Sequence, residues 1–168
     1  MTAINSRSNL LLLREEEIRQ GIELLYFTYR DFTAEPDVIL SKFGFGRAHH
    51  RVIYFVGRNP RINVSELLNI LKITKQSLSR VLGQLVREGF IDQREGIRDR
   101  RQRLLELTAS GIELERQLSE SQCKRLADAY RKAGPEAVQG YRDVLMGMIS
   151  TEDRARIFAH GRDNRDCD

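Results

Sequence analysis

The stretch from Phe90 to Thr108, "FIDQREGIRDRRQRLLELT", reads as two short strands joined by a turn that is crowded with arginine. The segments "FIDQR" and "LLELT" are strand-like, and Glu95–Arg100, which includes a glycine, separates them as a turn would. Four arginines and one aspartate lie within the seven positions from Ile97 to Arg103. The stretch therefore predicts a β-hairpin whose tip is strongly positive.

Two helices are predicted immediately before this hairpin. Asn63–Glu66 has the pattern of a capping box, in which each terminal side chain accepts a hydrogen bond from the backbone N–H of the other residue. After a short turn, Thr74 is a typical N-cap for the second helix, and Gly89 is placed to end it. The apolar residues of the second helix share the spacing of a side that lies on a core: Leu78, Val81, Leu82, Leu85 and Val86.

The chain before these helices is predicted to be helical as well. A helix is expected from Leu10 to about Phe32, since apolar residues recur there at spacings of three and four. Pro36 is expected to break or bend the path, and Lys42–Arg47 to form a connector. A further helix is predicted over Arg47–Val56. It and the two helices after it come directly before the hairpin, as in a winged helix-turn-helix.

After the hairpin, Thr108 is expected to cap a helix from Ala109 to Ala133. Gly134 and Pro135 should end that helix and start the last one. The last helix carries one apolar stripe: Val138, Tyr141, Val144, Leu145, Met148 and Ile149.

The predicted fold is mainly α-helical with a small β-hairpin wing: a winged helix-turn-helix joined to a helical dimerisation region. Apolar helices at both ends of the chain favour contact with a second copy. The expected organisation is a dimerisation helix and connector at 1–46, a winged helix-turn-helix DNA-binding domain at 47–108, dimerisation helices at 109–158 and a polar tail at 159–168.

Positive charge is concentrated in one region. Lys72–Arg103 holds nine basic and four acidic residues, whereas the whole chain has a net charge of only +4. A localised basic surface is the electrostatic footprint of a polyanion binder. In a helix-turn-helix the second helix enters the major groove. The residues predicted to contact DNA from that helix are Lys75, Gln76, Ser77, Ser79, Arg80 and Gln84, and those from the wing tip are Arg98, Asp99, Arg100 and Arg101. The arginines at the tip suit the narrow minor groove, and Asp99 would hold Arg101 in an inserted position.

Other classes of function find little support in the sequence. The longest apolar run, Leu10–Leu13, is too short to span a bilayer, so we expect a cytosolic protein without a membrane partner. Cys123 and Cys167 lie far apart and are expected to be free thiols, and three scattered histidines predict no metal site and no cofactor. The sequence shows no nucleophile–base pair and no glycine-rich loop that would hold a phosphate, so it does not predict an enzyme.

The stretch Ser77–Gly111 resembles the MarR family of bacterial transcription regulators. The resemblance rests on Asp99-Arg100-Arg101 at the wing tip, followed by Leu104 and Leu107, and on Thr108 and Gly111 at the start of the next helix. It implies a homodimer that binds double-stranded DNA at a palindromic operator and acts as a repressor. It also implies a response to a small aromatic effector held between the dimer helices and the winged domain.

Four residues are candidates for the effector site: Tyr26, Tyr29, His49 and His50. For each of them, packing in the core or in the dimer interface is the alternative, and His49 and His50 are adjacent, so only one can face a given pocket. Two other functions stay open at this point. One is a non-specific nucleic-acid or nucleoid-type binder, and the other is an interaction module whose wing binds an acidic protein.

Overall fold

The computed structural model describes residues 15–96 and 102–163, with side chains up to residue 157. The predicted helix start at Leu10, the wing-tip residues 97–101 and Cys167 lie outside the described residues. The elements are α1 (Glu15–Ser41), α2 (Arg47–Arg58), β1 (Ile62–Asn63), α3 (Val64–Leu71), α4 (Lys75–Arg87), β2 (Ile91–Glu95), β3 (Arg103–Leu107), α5 (Ala109–Ala133), α6 (Pro135–Met148) and α7 (Thr151–Asp163). The fold is therefore mainly helical with a small antiparallel sheet, as the sequence predicts.

Pro36 was expected to break or bend the path after a first helix that ends near Phe32. It does not break the helix, because α1 continues through Pro36 to Ser41. Proline lacks the N–H that would bond to the carbonyl four residues earlier, so that carbonyl needs another donor. The side-chain Nε2 of Gln122 in α5 supplies it, donating to the Phe32 oxygen at 3.0 Å. A tertiary contact therefore offsets the local penalty of the proline.

The helix-turn-helix forms where its capping residues predict it. The Asn63 side chain accepts from the Glu66 N–H at 2.9 Å, and the Glu66 carboxylate accepts from the Asn63 N–H at 3.1 Å. Thr74 accepts from the Ser77 N–H at 3.1 Å and so starts α4. Lys72 ends α3 in the left-handed conformation, which turns the chain between the two helices.

The hairpin is confirmed, but the sheet has a third strand that the sequence analysis did not predict. The strand order is β1-β3-β2, and Leu105 in the middle strand pairs with Ile62 on one side and Gln93 on the other. A strand of two residues has no periodicity to detect, and it forms because β3 offers a free edge.

The core lies between the helices of the winged domain and the first half of α5. Its fully buried side chains include Val52, Ile53, Val56, Leu67, Leu85, Leu105 and Leu118. Burial of such side chains is the main stabilising contribution to the fold, at about 1.5–3 kcal/mol each.

The last predicted helix is two helices in the structure. Residue Ile149 is extended and ends α6, and the Ser150 hydroxyl accepts from the Asp153 N–H at 3.2 Å to start α7. The second of these helices runs to Asp163, past the predicted start of the polar tail. No helix in the described part of the chain is long and apolar enough to cross a membrane.

Candidate nucleic-acid interface

Helix α4 presents a polar and basic face to solvent. Its apolar side is buried, and the opposite face exposes five of the predicted DNA contacts: Lys75, Gln76, Ser77, Ser79 and Arg80. Within the part of the chain that the structure describes, Lys75 and Arg80 form no ion pair, so their charges are not neutralised by neighbours. The first turn of α4 also contains no acidic residue. Its N-terminus therefore keeps the positive end of the helix dipole available to an anion.

Gln84, the sixth predicted contact on α4, is half-buried and bonded within the protein. Its Oε1 lies 2.9 Å from His49 Nε2, and its Nε2 donates to Glu88 at 2.9 Å. The His49 Nδ1 accepts from the Gly46 N–H, so Nε2 is the protonated nitrogen and donates to Gln84. A contact between the Gln84 amide and a base would require these bonds to be exchanged.

The base of the wing is a regular ladder. Beyond the last paired residues of β2 and β3, the Gly96 N–H donates to the Gln102 carbonyl at 2.9 Å. The four predicted wing-tip contacts, Arg98, Asp99, Arg100 and Arg101, lie outside the described residues.

Three further arginines, two within the ladder and one directly before β1, form only long ion pairs. Glu106 lies 3.9 Å from Arg61 and 3.8 Å from Arg94, and Arg103 lies 3.8 Å from Glu95. Exposed pairs at such distances contribute little to stability, so these guanidinium groups can be redirected to another anion.

A cavity of about 430 Å³ adjoins the winged domain between α1, α2 and α5. Its wall is rich in aromatic rings and also holds two guanidinium groups, an imidazole and a thiol: Tyr29, Phe32, Thr33, Arg47, His50, Arg51, Tyr54, Phe55, Ser119, Gln122, Cys123 and Leu126. Large aromatic surfaces with a few polar groups are typical of small-molecule sites.

The structure brings together two of the four predicted effector residues. Tyr29 and His50 line the cavity, whereas Tyr26 is exposed and His49 stacks on Phe45 with ring centroids 4.7 Å apart. The adjacent histidines thus point to different surroundings, as their consecutive helix positions require.

Hydrogen bonds from neighbouring arginines shift the pKa of Tyr29, whereas burial shifts the pKa of His50. Arg51 donates to the Tyr29 hydroxyl at 3.2 Å, and this bond, with a further contribution from Arg47, lowers the pKa of Tyr29. Burial is the main cause that lowers the pKa of His50, which favours its neutral form. Arg47 is itself held by three hydrogen bonds to the Asp37 carboxylate, the shortest at 2.7 Å.

Comparison with known proteins places this architecture in a family. Residues 43–102, which contain the helix-turn-helix and most of the wing, match the MarR family. The chain is also 51% identical over 140 residues to the HTH-type transcriptional regulator PetP of Rhodobacter capsulatus, covering 83% of this chain and 84% of that protein. The chain belongs to the MarR family of transcription regulators.

Two solved structures show the same fold at lower identity. A MarR variant from E. coli in complex with operator DNA is 20% identical, with a TM-score of 0.60, covering 82% of this chain and 99% of that chain. NadR in complex with 4-hydroxyphenylacetate is 22% identical, with a TM-score of 0.63, covering 74% of this chain and 88% of that chain.

Most of the cavity wall of this MarR-family chain was not predicted from its sequence. Arg47, His50, Arg51 and Tyr54 recur at spacings of three and four, and so do Ser119, Gln122, Cys123 and Leu126. This periodicity could have shown that each set shares a helix face. What the sequence could not show is that the two faces, from helices distant in the chain, meet across one cavity.

Proposed function

We propose that this MarR-family regulator binds a palindromic operator as a homodimer and represses transcription until an effector is bound. The observation that carries the proposal is the exposed basic face of α4, where Lys75 and Arg80 form no ion pair with any described residue. Helix-turn-helix proteins place the N-terminal residues of such a helix against base edges in the major groove. The solved structure of the MarR variant from E. coli contains operator DNA, which is consistent with the same use of the fold.

Each proposed DNA contact has a role that follows from its chemistry. Arg80 and Gln76 can each form two hydrogen bonds with a base edge, whereas Lys75, Ser77 and Ser79 suit phosphate oxygens. Gln84 is proposed as a further DNA contact, which would exchange its hydrogen bond to His49 for one to the DNA. At the wing tip, Arg98, Arg100 and Arg101 would follow the minor groove, with Asp99 holding Arg101 in position.

The proposed dimer contact is the apolar surface of the terminal helices. Large apolar side chains are exposed on α1, α6 and α7, among them Ile22, Leu25, Tyr141, Val144 and Ile157. Surfaces of this kind mark protein–protein contacts in soluble proteins. The proposed organisation therefore keeps the dimerisation segments at 1–46 and 109–158 and the DNA-binding domain at 47–108.

The proposed effector is a small aromatic molecule bound in the cavity. Tyr29, Phe32, Tyr54 and Phe55 offer aromatic surface, and Arg51 offers a charged donor. NadR has been solved with 4-hydroxyphenylacetate, a molecule of this chemistry. A ligand acts on DNA binding to the extent that it prefers one arrangement of the dimer over another.

Selection of bound sequences from random DNA, followed by titration at several salt concentrations, tests the DNA-binding proposal. A single inverted repeat should be enriched, and its affinity should exceed that of random DNA by at least about a thousandfold. Equal, strongly salt-dependent binding to all sequences would instead support the non-specific nucleoid-type alternative. Binding to an acidic protein without affinity for DNA would support the interaction module.

The effector proposal is tested by adding 4-hydroxyphenylacetate to the complex of protein and operator. Release of the operator by this compound, but not by cyclohexylacetate, would support an aromatic site. An equal effect of both compounds, or release that persists in the Tyr54→Ala variant, would contradict the assignment to this cavity.

A further inference from the structure

Helix α1 consists of two halves with different surroundings, which meet at Phe32. Apart from Val38, its exposed large apolar side chains all precede Phe32, from Ile18 to Tyr29. Its buried residues all follow Phe32: Thr33, Pro36 and Leu40. Apart from Tyr29, whose hydroxyl accepts a hydrogen bond from Arg51 of α2, the first half is thus free to contact a second copy, whereas the second half is anchored in its own subunit.

Two ion pairs strengthen the anchor of the second half. Asp37 pairs with Arg47 of α2 at 2.7 Å, and Glu35 pairs with Arg125 of α5 at 3.2 Å. The boundary between the halves is therefore the place where a change in the direction of α1 would move the free half relative to the winged domain.

The backbone of α1 has an internal gap at this boundary. Pro36 cannot donate to the Phe32 carbonyl, and its ring crowds that oxygen. Directly after Phe32, the Thr33 hydroxyl donates back to the Tyr29 and Arg30 carbonyls at 2.9 and 3.2 Å, an arrangement that often bends helices. The bond of 3.0 Å from Gln122 closes the gap and links it to α5.

We propose that Gln122 is a positioning residue for operator binding: its bond to the Phe32 carbonyl sets the direction of the free half of α1. The proposal rests on the homodimer proposed above, in which that half contacts the second subunit. A helix rises 1.5 Å per residue, so the free half is about 25 Å long, and a tilt of about 5° moves its end by about 2 Å. Such a tilt changes the separation of the two α4 helices, which the operator reads as half-site spacing.

The position of Gln122 also connects this bond to the cavity. Both Gln122 and Phe32 belong to its wall. A molecule in the cavity therefore lies against the contact that sets the direction of α1.

A double-mutant cycle tests the proposal. Gln122→Met removes the donor at nearly constant length, and Pro36→Ala restores the missing backbone N–H, so that Gln122 is no longer needed. Gln117→Met is the matched control, because Gln117 lies on the same helix but bonds to Glu113 within it at 2.7 Å. The measurement is the affinity for the selected operator and for versions whose half-sites are moved apart or together by one or two base pairs.

We expect Gln122→Met to weaken binding to the best operator about tenfold and to shift or broaden the preferred spacing. The Pro36→Ala/Gln122→Met variant should bind within about twofold of Pro36→Ala, with the original spacing, and Gln117→Met should match the natural protein. A Gln122→Met variant that does not fold, but folds and binds when Pro36→Ala is added, equally supports the bond.

An unchanged spacing profile in folded Gln122→Met would overturn the proposal, and so would failure of Pro36→Ala to rescue it. This outcome is distinct from failure of the proposed function. If the proposed function fails, the natural protein itself has no preferred inverted repeat. If only the role of Gln122 fails, the natural protein prefers an inverted repeat, and Gln122→Met prefers the same repeat with the same spacing.

Discussion

Residue 111 lies where a helix begins directly against the wing. The Thr108 hydroxyl accepts from the Gly111 N–H at 3.1 Å and donates to the Gly89 carbonyl at 2.7 Å. The Thr108 N–H also donates to the Phe90 carbonyl at 3.1 Å. A Cβ at position 111 would overlap the Phe90 carbonyl oxygen and press on Leu107. The spacing of threonine and glycine in this motif thus reflects one close approach between α5 and the start of the wing.

Gly111→Ala should therefore destabilise the protein by at least about 2 kcal/mol, because backbone has to move to admit the methyl group. Gly83→Ala is the control, since a Cβ at that helical position meets nothing within 4 Å. It should be neutral or stabilise by up to about 1 kcal/mol. Urea denaturation of both variants compares these changes, and equal stability of the two would contradict the overlap.

The half-buried His50 side chain should make the stability of the fold depend on pH. Burial lowers its pKa in the folded protein below the value in the unfolded chain, so the unfolded chain binds the proton more readily. The contribution of neutral His50 to stability is then full above the unfolded pKa of about 6.5 and falls as the pH drops through and below it. Denaturation at a series of pH values should show this loss, and His50→Gln should reduce it. A variant with an unchanged pH profile would show that other groups cause the acid sensitivity.

At the scale of whole elements, the sequence predicts those that carry their own end signals. Helices α3 and α4 begin directly after their caps, Asn63 and Thr74, as predicted, because capping is a local interaction that is visible in four consecutive residues. Pro36 misleads because the donor that replaces its missing N–H at the Phe32 carbonyl is Gln122, 90 positions after Phe32 in the chain. The same limit applies to β1, which exists only as a partner of β3.

The candidate site also combines features that local sequence patterns predict with features that only tertiary contacts determine. The exposed face of α4 follows from helical periodicity and is placed correctly by the sequence alone. The bond between Gln84 and His49 and the meeting of α2 with α5 across the cavity depend on tertiary contacts, and no local pattern predicts them.

A substitution at Arg80 tests whether α4 recognises the DNA sequence. Arg80→Ala should reduce affinity for the selected operator by about 1–3 kcal/mol and affinity for random DNA much less, because a base contact discriminates between sequences. Arg116→Ala is the control, since Arg116 is an exposed arginine of α5 that pairs with Glu113 at 2.8 Å in its own helix. Filter binding at fixed salt measures both affinities for each variant. Equal losses of Arg80→Ala on both kinds of DNA would assign the residue to phosphates instead.

At the scale of the whole molecule, charge and apolar surface are separated along the chain. The basic excess lies in the winged domain, and the exposed apolar side chains lie mainly on α1, α6 and α7. A single winged domain touches few base pairs, and two copies at a fixed separation recognise an inverted repeat. Operator binding by this chain should therefore depend on the apolar surface, even though that surface lies outside the proposed DNA contacts.

Ile22 and Val38 allow this dependence to be measured within one helix. Both are β-branched residues of α1 with nearly equal exposure, 63% and 62%, but Ile22 lies in the free half and Val38 in the anchored half. Ile22→Glu would bury a charge in the proposed interface, which should weaken dimerisation at least a hundredfold, whereas Val38→Glu should leave it intact. Light scattering at micromolar concentration should give twice the 19.5 kDa chain mass for the natural protein and Val38→Glu, and a monomer for Ile22→Glu. Ile22→Glu should also lose the operator while keeping its weak affinity for random DNA. A natural protein that is monomeric under these conditions, or an Ile22→Glu variant that remains a dimer, would remove the free half of α1 from the interface.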